Sequence, residues 1–328
     1  MNLSLRLERW PTARPYRFGK YSWTEVEQCV VTLRDQQLVA HGEAAGVYYK
    51  NDVPAIMLAQ IEAIRGRVEA GINRDELSRL LPAGGARNAL DCALWDLESQ
   101  RSGQPVWQHA GVPAPRPLLC SFTIGADTPD AMAEEARAFP AVRAIKLKLI
   151  GKSIDAERVR AVRSVCPQVW LGVDFNQTLN RPALERLLPV LIGCGVALIE
   201  QPLPAGREAE LDGLNSPIPL AADESVSVAA DLPALSGRFD VINIKLDKCG
   251  GLTEALRMAD EARRLGLKIM VGNMLGTSRA MAPAFVLGQL CDVVDLDGPL
   301  LLARDVTPGV SYENGQVWCP GAVWGGGA

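Results

Sequence analysis

The chain has 328 residues, of which 48% are hydrophobic and 22% charged, and its formal net charge is −4. This composition predicts a globular protein with a large core, and the length allows one large α/β domain with an appended smaller one. The small net charge and the lack of a basic stripe argue against nucleic acid as a partner.

Neither export nor membrane insertion is indicated by the chain. The first residues, MNLSLRLERWPTARP, alternate polar and apolar side chains, whereas a signal peptide needs a continuous apolar core. No apolar stretch approaches the roughly 18 residues that cross a bilayer. We therefore expect a cytoplasmic protein without a membrane partner.

The cysteines and histidines limit the available chemistry. Eight cysteines are spread along the chain without a CxxC pair, which favours buried, reduced thiols over a disulfide framework or a zinc site. The two histidines are His41 and His109. Any acid–base or metal chemistry in the rest of the chain must therefore proceed without imidazole.

Up to about residue 110 the sequence predicts an α+β unit. Three segments alternate polar and apolar residues as strands do: NLSLRLERW, EQCVVTLRD and QLVAHGEAAG. A helix is predicted in RNALDCALWDLESQRSG, where Leu90, Leu94 and Leu97 recur at helical spacing.

From about residue 115 onward, short strands alternate with helical segments. The predicted strands are LLCSFTI (118–124), AIKLKL (144–149), VWLGVD (169–174), VALIE (196–200), IPLAAD (218–223), DVINIKL (240–246), LKIMVG (267–272) and DVVDLD (292–297). One of the intervening helices should end at Gly266. No GxGxxG turn follows the first strand, so a (β/α)8-type barrel is favoured over an open doubly wound sheet. The glycine-rich end, NGQVWCPGAVWGGGA, predicts a disordered tail.

Charged residues lie at or near the ends of five successive predicted strands. They are Lys148, Asp174, Glu200, Asp223 and Lys245, spaced 22 to 26 residues apart. Since the carboxyl ends of barrel strands form the active site in this architecture, we expect the five to converge at one mouth. In AIKLKL, the alternation of a strand puts Lys146 on the same face as Lys148.

A buried cluster of this kind predicts a metal site. Desolvated ions cost several kcal/mol each unless they are paired or bind a metal. Three carboxylates without histidine or thiolate suit Mg²⁺ or a similar hard cation. Lysines beside that ion are candidates for proton transfer, because a dication and a second ammonium both lower a lysine's pKa. Lys146 is expected to neutralise carboxylate charge and to help keep Lys148 deprotonated.

Taken alone, each of these residues has a simpler interpretation. Lysines at i and i+2 are typical of a solvated edge strand, and an acid at a strand end often caps the next helix. Ser121 and Thr123 share a strand face, where they either contact substrate or fill the barrel interior. Lys248 is expected to leave the strand and face solvent. The joint occurrence at successive strand ends favours the functional interpretation.

Seven motifs carry a family resemblance. They are LPAGGARNALDCALWDL (81–97), KLK (146–148), VDFN (173–176), IEQP (199–202), ADES (222–225), INIKLDKCGG (242–251) and DLDGP (295–299). Their order resembles that of the enolase superfamily, in its muconate-lactonizing-enzyme subgroup, and the first and last are most similar to those of bacterial L-Ala-D/L-Glu epimerases. The resemblance implies an α/β fold with an α+β capping domain (1–112), a modified (β/α)7β barrel of the TIM type (113–303) and a C-terminal segment (304–328) that returns toward the cap.

The resemblance also implies roles for individual residues. One Mg²⁺ per subunit would be held by Asp174, Glu200 and Asp223. Lys148 and Lys245 would be the acid/base pair on opposite faces of the substrate α-carbon. Asp295 and Asp297 would hold the ammonium end of a dipeptide substrate. Lys146 and Ser121, from the strand faces described above, are the other candidates for substrate binding. An ion pair with a capping-domain arginine is the alternative for Asp295 and Asp297.

The expected reaction follows from the acidity of the substrate. A proton α to a carboxylate is very weakly acidic, so its removal requires a cation on the carboxylate oxygens to stabilise the enediolate. If one lysine removes the proton and the other returns one to the opposite face, the product is the epimer. The implied activity is therefore epimerisation at the C-terminal α-carbon of a dipeptide, in cell wall peptide metabolism.

Two alternatives stay open, together with a homo-oligomeric state. One is another reaction of the superfamily, muconate cycloisomerisation or o-succinylbenzoate synthesis. The other is a catalytically inactive metal-binding barrel. The two acids of DLDGP favour the dipeptide, because they would repel a dicarboxylate that lacks an amine.

Substrate specificity is expected to depend on the loop RPYRFGKYSWTE (14–25). Glutamate-specific relatives place an arginine in this loop, and the matching position here is Lys20, with Arg17 three residues earlier. A lysine offers a point charge in place of a bidentate fork, so it discriminates less sharply for a distal carboxylate. Tyr21 and Trp23 beside it favour an apolar side chain instead.

Overall fold

The structure is a computed structural model that describes residues 1–18, 21–139 and 141–327. Its strands form a three-stranded antiparallel sheet, an eight-stranded parallel sheet and a second small sheet of three strands. Among the described residues, none of the helices combines the length and the apolar character needed to cross a bilayer.

The N-terminal part, Asn2 to His109, is called the cap below and is an antiparallel sheet covered by helices. Its strands are β1 (Asn2–Phe18), β2 (Tyr21–Asp35) and β3 (Leu38–Ala44). Its helices are α1 (Pro54–Ala63), α2 (Arg65–Glu69), α3 (Arg74–Leu80), α4 (Gly85–Ser102) and α5 (Val106–His109). The predicted leucines of α4, at 90, 94 and 97, are buried in this layer. Gly42 lets α4 approach β3, since a Cβ there would stand 1.9 Å from the Ala89 oxygen.

After β4 (Leu118–Leu119), eight parallel strands form the barrel. They are β5 (Phe122–Ile124), β6 (Ala144–Lys148), β7 (Trp170–Asp174), β8 (Leu198–Glu200), β9 (Leu220–Ala222), β10 (Val241–Ile244), β11 (Lys268–Gly272) and β12 (Val293–Asp295). The strands are adjacent in chain order, from β5 to β12. The Ser121 N–H donates to the Val294 oxygen at 2.9 Å, which brings the first and last strands together.

Helices surround the barrel. They are α6 (Pro129–Ala138), α7 (Asp155–Val165), α8 (Arg181–Gly193), α9 (Leu232–Leu235), α10 (Leu246–Cys249), α11 (Leu252–Arg264) and α12 (Ser278–Gly288). The connection from β8 to β9 contains only a 3-10 helix, Glu208–Leu211, within the described chain. After β12 the next element is a 3-10 helix, Gly298–Leu301, and no α-helix follows among the described residues. The barrel is therefore (β/α)7β, with the 3-10 helix between β8 and β9 counted as one of the seven helical units. The predicted helix stop is confirmed, because Gly266 follows α11 with φ +73°.

Two predictions about local structure are wrong, one for the segment 118–124 and one for the C-terminal tail. The segment 118–124 is not one strand, because the Cys120 N–H donates to the Gly315 oxygen while the next residue bonds to the barrel. β4 therefore joins a separate sheet with β13 (Ser311–Glu313) and β14 (Gln316–Trp318). The C-terminal tail is also ordered: the Trp324 indole N–H lies 3.0 Å from the His41 oxygen and 3.2 Å from the Cys92 oxygen. A buried indole that finds two acceptors fixes the glycine-rich end against the cap.

The barrel interior is divided into an apolar lower half and a polar upper half. Leu198, Ala221, Val241 and Met270 pack together inside the barrel. Because alternate residues of a strand point to the same face, the residues two positions later on these strands also point inward, at the carboxyl ends. Those later positions hold Glu200, Asp223, Asn243 and Gly272, so the polar and charged groups of the site lie above the apolar layer.

The cap and the barrel are joined by buried hydrogen bonds. The Gln28 amide donates to the Leu275 oxygen at 2.7 Å. The Glu43 carboxylate accepts the Thr277 hydroxyl at 2.7 Å. Burial raises the pKa of Glu43 to about 7, although the hydrogen bonds from Thr277 oppose that shift. These contacts fix the loop after β11 under the cap.

Candidate active site

Strand register brings the predicted residues together. Lys148 pairs with Asp174 across β6 and β7, and Asp174 pairs with Glu200 across β7 and β8. Asp223 follows β9 directly, and Lys245 follows β10. All five side chains therefore lie at the carboxyl ends of the strands, as the sequence predicts.

The three carboxylates form a buried cluster. Asp174, Glu200 and Asp223 each offer an oxygen that lies within 4.8 Å of the other two. The Glu200 Oε1 atom accepts the Asn243 amide at 2.7 Å, whereas Oε2 has no hydrogen-bond donor among the described residues. Burial and the charge of Asp174 raise the pKa of Glu200 to about 7. A compact set of hard oxygens, one of which accepts no hydrogen bond from the described residues, fits Mg²⁺.

The two proton-transfer candidates approach this cluster from opposite sides. The Lys148 Nζ atom lies 2.6 Å from an Asp174 oxygen, and the Lys245 Nζ atom lies 2.6 Å from an Asp223 oxygen. Their strands, β6 and β10, are four positions apart in an eight-stranded sheet that curls into a barrel. Strands so placed face each other across the barrel. Burial lowers the pKa of Lys245, but the charges of Asp223 and Glu200 outweigh it and raise that pKa well above its usual value. This direction is opposite to the lowering expected from the sequence, which depends on a dication held by the same carboxylates.

A second layer of charges lies on the same strands and their neighbours. The Lys146 ammonium forms an ion pair with Asp295 and lies 3.3 Å from Glu200 Oε2. The Ser121 hydroxyl donates to Asp295 at 2.6 Å. Asp297 accepts the Thr123 N–H at 2.6 Å, and burial together with the charge of Asp295 raises its pKa to about 6. Asp295 therefore pairs with a barrel lysine, not with an arginine of the cap.

The prediction that Lys248 faces solvent is wrong. Its side chain is buried, and its ammonium donates to Asp223 Oδ1 at 2.6 Å. β10 ends at Ile244, and α10 turns the chain through one helical turn. Residues three apart on a helix lie on nearly the same side, so Lys248 returns to the side of Lys245.

Several neighbours of the cluster were not predicted. Asn243 stands two residues before Lys245, so strand alternation alone indicates that both face inward. The Asn176 side chain accepts from Lys148 at 3.2 Å and donates to Glu224 at 3.2 Å. Gly272 leaves room for this arrangement, since a Cβ there would stand 2.7 Å from Asn243 Oδ1 and 3.0 Å from Lys245 Cε. Such a close approach has no signal in the sequence beyond the glycine itself.

Tyr48 of the cap lies near enough to the two lysines to be influenced by their charges. Burial raises the pKa of Tyr48 above its usual range, and the positive charges of Lys148 and Lys245 oppose that rise. Tyr48 also lines an apolar cavity of about 190 Å³ with Trp23, Met274 and Leu275. Lys20 lies outside the described residues.

The cap, the barrel and the acidic triad between two opposed lysines together define a metal-dependent enzyme of the enolase superfamily. The chain belongs to the mandelate racemase / muconate lactonizing enzyme family. Residues 2–111 match the N-terminal domain of that family, and residues 131–324 match the domain described as enolase C-terminal domain-like.

The relatives of this chain include epimerases and a racemase. It is 39% identical to the L-Ala-D/L-Glu epimerase of Escherichia coli (strain K12), over 94% of this chain and 97% of that protein. It is 44% identical to an N-acetyl-D-glutamate racemase of a Pseudoalteromonas species, over 76% of this chain and 79% of that protein.

Solved structures similar to this one include proteins related to dipeptide epimerases. An enolase family member from Agrobacterium tumefaciens with homology to dipeptide epimerases, bound to sodium and L-Ala-L-Glu, has a TM-score of 0.95 and 42% identity, covering 98% of this chain and 99% of that one. A dipeptide epimerase from Methylococcus capsulatus, complexed with Mg and L-Arg-D-Lys, has a TM-score of 0.88 and 33% identity, covering 96% of both chains.

Proposed function

We propose that this protein is a Mg²⁺-dependent dipeptide epimerase of the L-Ala-D/L-Glu type, which inverts the C-terminal α-carbon. The observation that carries the proposal is the pair Lys148 and Lys245, each 2.6 Å from a different carboxylate of the triad and on facing strands. A substrate α-carbon held between them would be open to proton transfer on both faces. The relatives support the same reaction class.

The carboxylates and lysines of the site would have separate roles. Asp174, Glu200 and Asp223 would hold one Mg²⁺ per subunit, and the ion would supply positive charge to the substrate carboxylate as the α-proton leaves. Lys148 and Lys245 would serve opposite faces of the α-carbon. In each direction of the reaction, one lysine would remove the proton from its face and the other would donate a proton to the opposite face. Lys146, paired with Asp295 and Glu200, would remain charged and balance the carboxylates.

The ammonium end of the dipeptide would lie beside Asp295 and Asp297. Asp295 is already paired with Lys146, so the charge of Asp297 is the one left to meet an incoming cation. Ser121 would fix the orientation of Asp295 through its 2.6 Å hydrogen bond. This arrangement favours a substrate with a free amine over an N-acylated amino acid or a dicarboxylate.

Replacing Asp297 with asparagine tests the ammonium contact. Asparagine keeps an oxygen that can accept the Thr123 N–H, so the fold should be preserved. We expect kcat/KM for L-Ala-L-Glu to fall by roughly 10- to 100-fold, the value of a charge-assisted hydrogen bond of about 1.5–3 kcal/mol. Turnover of N-acetylglutamate, which has no ammonium, should not fall. Equal losses on both substrates would place the amine elsewhere.

The distal carboxylate of a glutamate substrate is proposed to meet Lys20. Loss of this charge in Lys20→Ala should cost L-Ala-L-Glu about 1–3 kcal/mol of transition-state binding, roughly ten- to a hundred-fold in kcat/KM. L-Ala-L-Leu should be nearly unaffected, because no charge is left unpaired in its complex. Arg17→Ala, measured on both dipeptides, is the matched variant. If neither variant separates the two substrates, the contact lies on other residues.

We also propose the domain boundaries, the cellular compartment and the physiological process of this enzyme. We assign 1–112 to a capping domain, 113–303 to the catalytic barrel and 304–328 to a segment that returns to the cap, an assignment supported by the Trp324 hydrogen bonds. The eight cysteines are all free thiols, which supports a reducing compartment, the cytoplasm. Recycling of cell wall peptides is the process we propose for an Ala-Glu epimerase.

A substrate panel tests the proposed function. The purified enzyme with Mg²⁺ is incubated with L-Ala-L-Glu, L-Ala-L-Leu, N-acetyl-L-glutamate and muconate, and the products are separated by chiral chromatography. We expect the L,D-dipeptides to form and muconate to be unchanged. Racemisation of N-acetylglutamate without conversion of any dipeptide would replace the proposed substrate class with the N-acylated one.

A further inference from the structure

The Lys248 ammonium is fully occupied by acceptors around the third metal-ligand candidate. It donates to Asp223 Oδ1 at 2.6 Å, to the Asp223 backbone oxygen and to the Asn243 backbone oxygen at 3.0 Å. An ammonium has three N–H donors, and all three are used. The side chain is only 3% exposed. Lys248 is thus a fixed cation, held without freedom to move toward a substrate.

The local backbone is built to place this lysine. Gly250 ends α10 in the left-handed region, with φ +85°, where residues other than glycine are strained. A Cβ at Gly250 would stand 2.2 Å from the Arg87 guanidinium, so the cap packs tightly against this turn. The Lys248 N–H also donates to the Lys245 oxygen at 2.9 Å. The turn therefore fixes Lys245 and Lys248 relative to each other.

The Asp223 carboxylate is held from both sides. One oxygen, Oδ2, meets Lys245, and the other, Oδ1, meets Lys248. The Asp223 N–H donates to the Gln201 side chain at 2.8 Å, which fixes the backbone as well. With Oδ1 occupied by a lysine that cannot leave, rotation of the carboxylate is blocked, and Oδ2 is directed into the triad.

We propose that Lys248 is a positioning residue that orients Asp223 for metal binding. The inference rests on the proposed function, since it assumes that the triad holds Mg²⁺. The inference also predicts whether removal of Lys248 strengthens or weakens metal binding. If Lys248 acted only as a positive charge near the triad, its removal would strengthen the binding of a cation. If it positions a ligand, its removal weakens binding, as loss of groups that orient metal ligands does.

The experiment titrates the full-length protein with Mn²⁺, a hard-oxygen probe that is followed by electron paramagnetic resonance. Lys248→Met removes the ammonium and keeps the apolar stem. We expect its Mn²⁺ affinity to fall by about 10- to 100-fold relative to the wild type. Lys50→Met is the matched control, because Lys50 and Lys248 border one cavity of about 560 Å³ but Lys50 donates to Ser227 and not to Asp223. Its affinity should equal that of the wild type.

The thermal melt of each metal-free protein separates positioning from structural support. A lysine that only supports the fold would lower the melting temperature and leave the Mn²⁺ affinity of the folded protein unchanged. Unchanged or tighter Mn²⁺ binding by Lys248→Met overturns the inference. Should that variant fail to fold, Lys248→Gln, which keeps an N–H donor, takes its place under the same criterion. If the wild type itself binds no Mn²⁺, the proposed function fails before the inference is reached.

Discussion

Substitution of Glu200 with glutamine is expected to abolish epimerisation, with a fall in kcat of at least about 10³-fold, because several kcal/mol of charge stabilisation depend on the ion that this carboxylate would hold. Asp174→Asn and Asp223→Asn should have the same effect. Glutamine nearly matches a protonated glutamate in shape, and burial and the charge of Asp174 already raise the pKa of Glu200 to about 7. The variant should therefore fold.

Two measurements accompany this substitution. Mg²⁺ affinity by calorimetry should be lost together with activity, while the circular dichroism spectrum is unchanged. Glu98→Gln is a suitable control, since Glu98 pairs with Arg74 at 2.8 Å, away from the triad. Full activity of the wild type in excess EDTA, or of Glu200→Gln in Mg²⁺, would show that the reaction does not depend on a metal held by Glu200.

Lys148→Ala and Lys245→Ala should each lower epimerisation by about 10²- to 10⁴-fold, the usual contribution of a positioned acid or base. The two variants should differ in what they retain. Because the lysines lie on facing strands, each mutant keeps the base for one face of the α-carbon only. One variant should still exchange the α-hydrogen of the L,L-dipeptide with solvent, and the other should exchange only that of the L,D-dipeptide.

The measurement is the rate of deuterium incorporation from D₂O into each epimer, followed by mass spectrometry. Lys152→Ala, a substitution of a lysine that begins the turn before α7, is the control and should exchange both epimers as the wild type does. Exchange of both epimers at equal rates by both active-site variants would contradict the assignment of one lysine to each face.

Much of the site could be predicted from the sequence because the register of neighbouring parallel strands is simple. A residue at the end of each parallel strand must meet its neighbour at the same edge, so the spacing of Lys148, Asp174 and Glu200 was enough to predict their convergence. The strand bounds were predicted slightly too long, since hydrogen bonding ends before the charged residues at 223 and 245. The side-chain positions are unaffected by that difference.

The errors have a common physical cause, which is long-range contact. Lys248 has the appearance of an exposed loop lysine until α10 folds it back against Asp223. The glycine-rich tail lacks a pattern of its own, and its order comes from Trp324 reaching acceptors in the cap, more than 200 residues earlier in the chain. The break in the segment 118–124 depends likewise on Gly315. Such partners cannot be read from local periodicity.

The most direct test of the two-base account is the position of deuterium after turnover of L-Ala-L-Glu by the wild type in D₂O with Mg²⁺. We expect one deuterium at the glutamate α-carbon of the L,D product, none at the alanine α-carbon, and no incorporation when EDTA is present. Formation of the L,D product without solvent deuterium, or deuterium at the alanine α-carbon, would contradict proton transfer between Lys148 and Lys245 at the C-terminal residue.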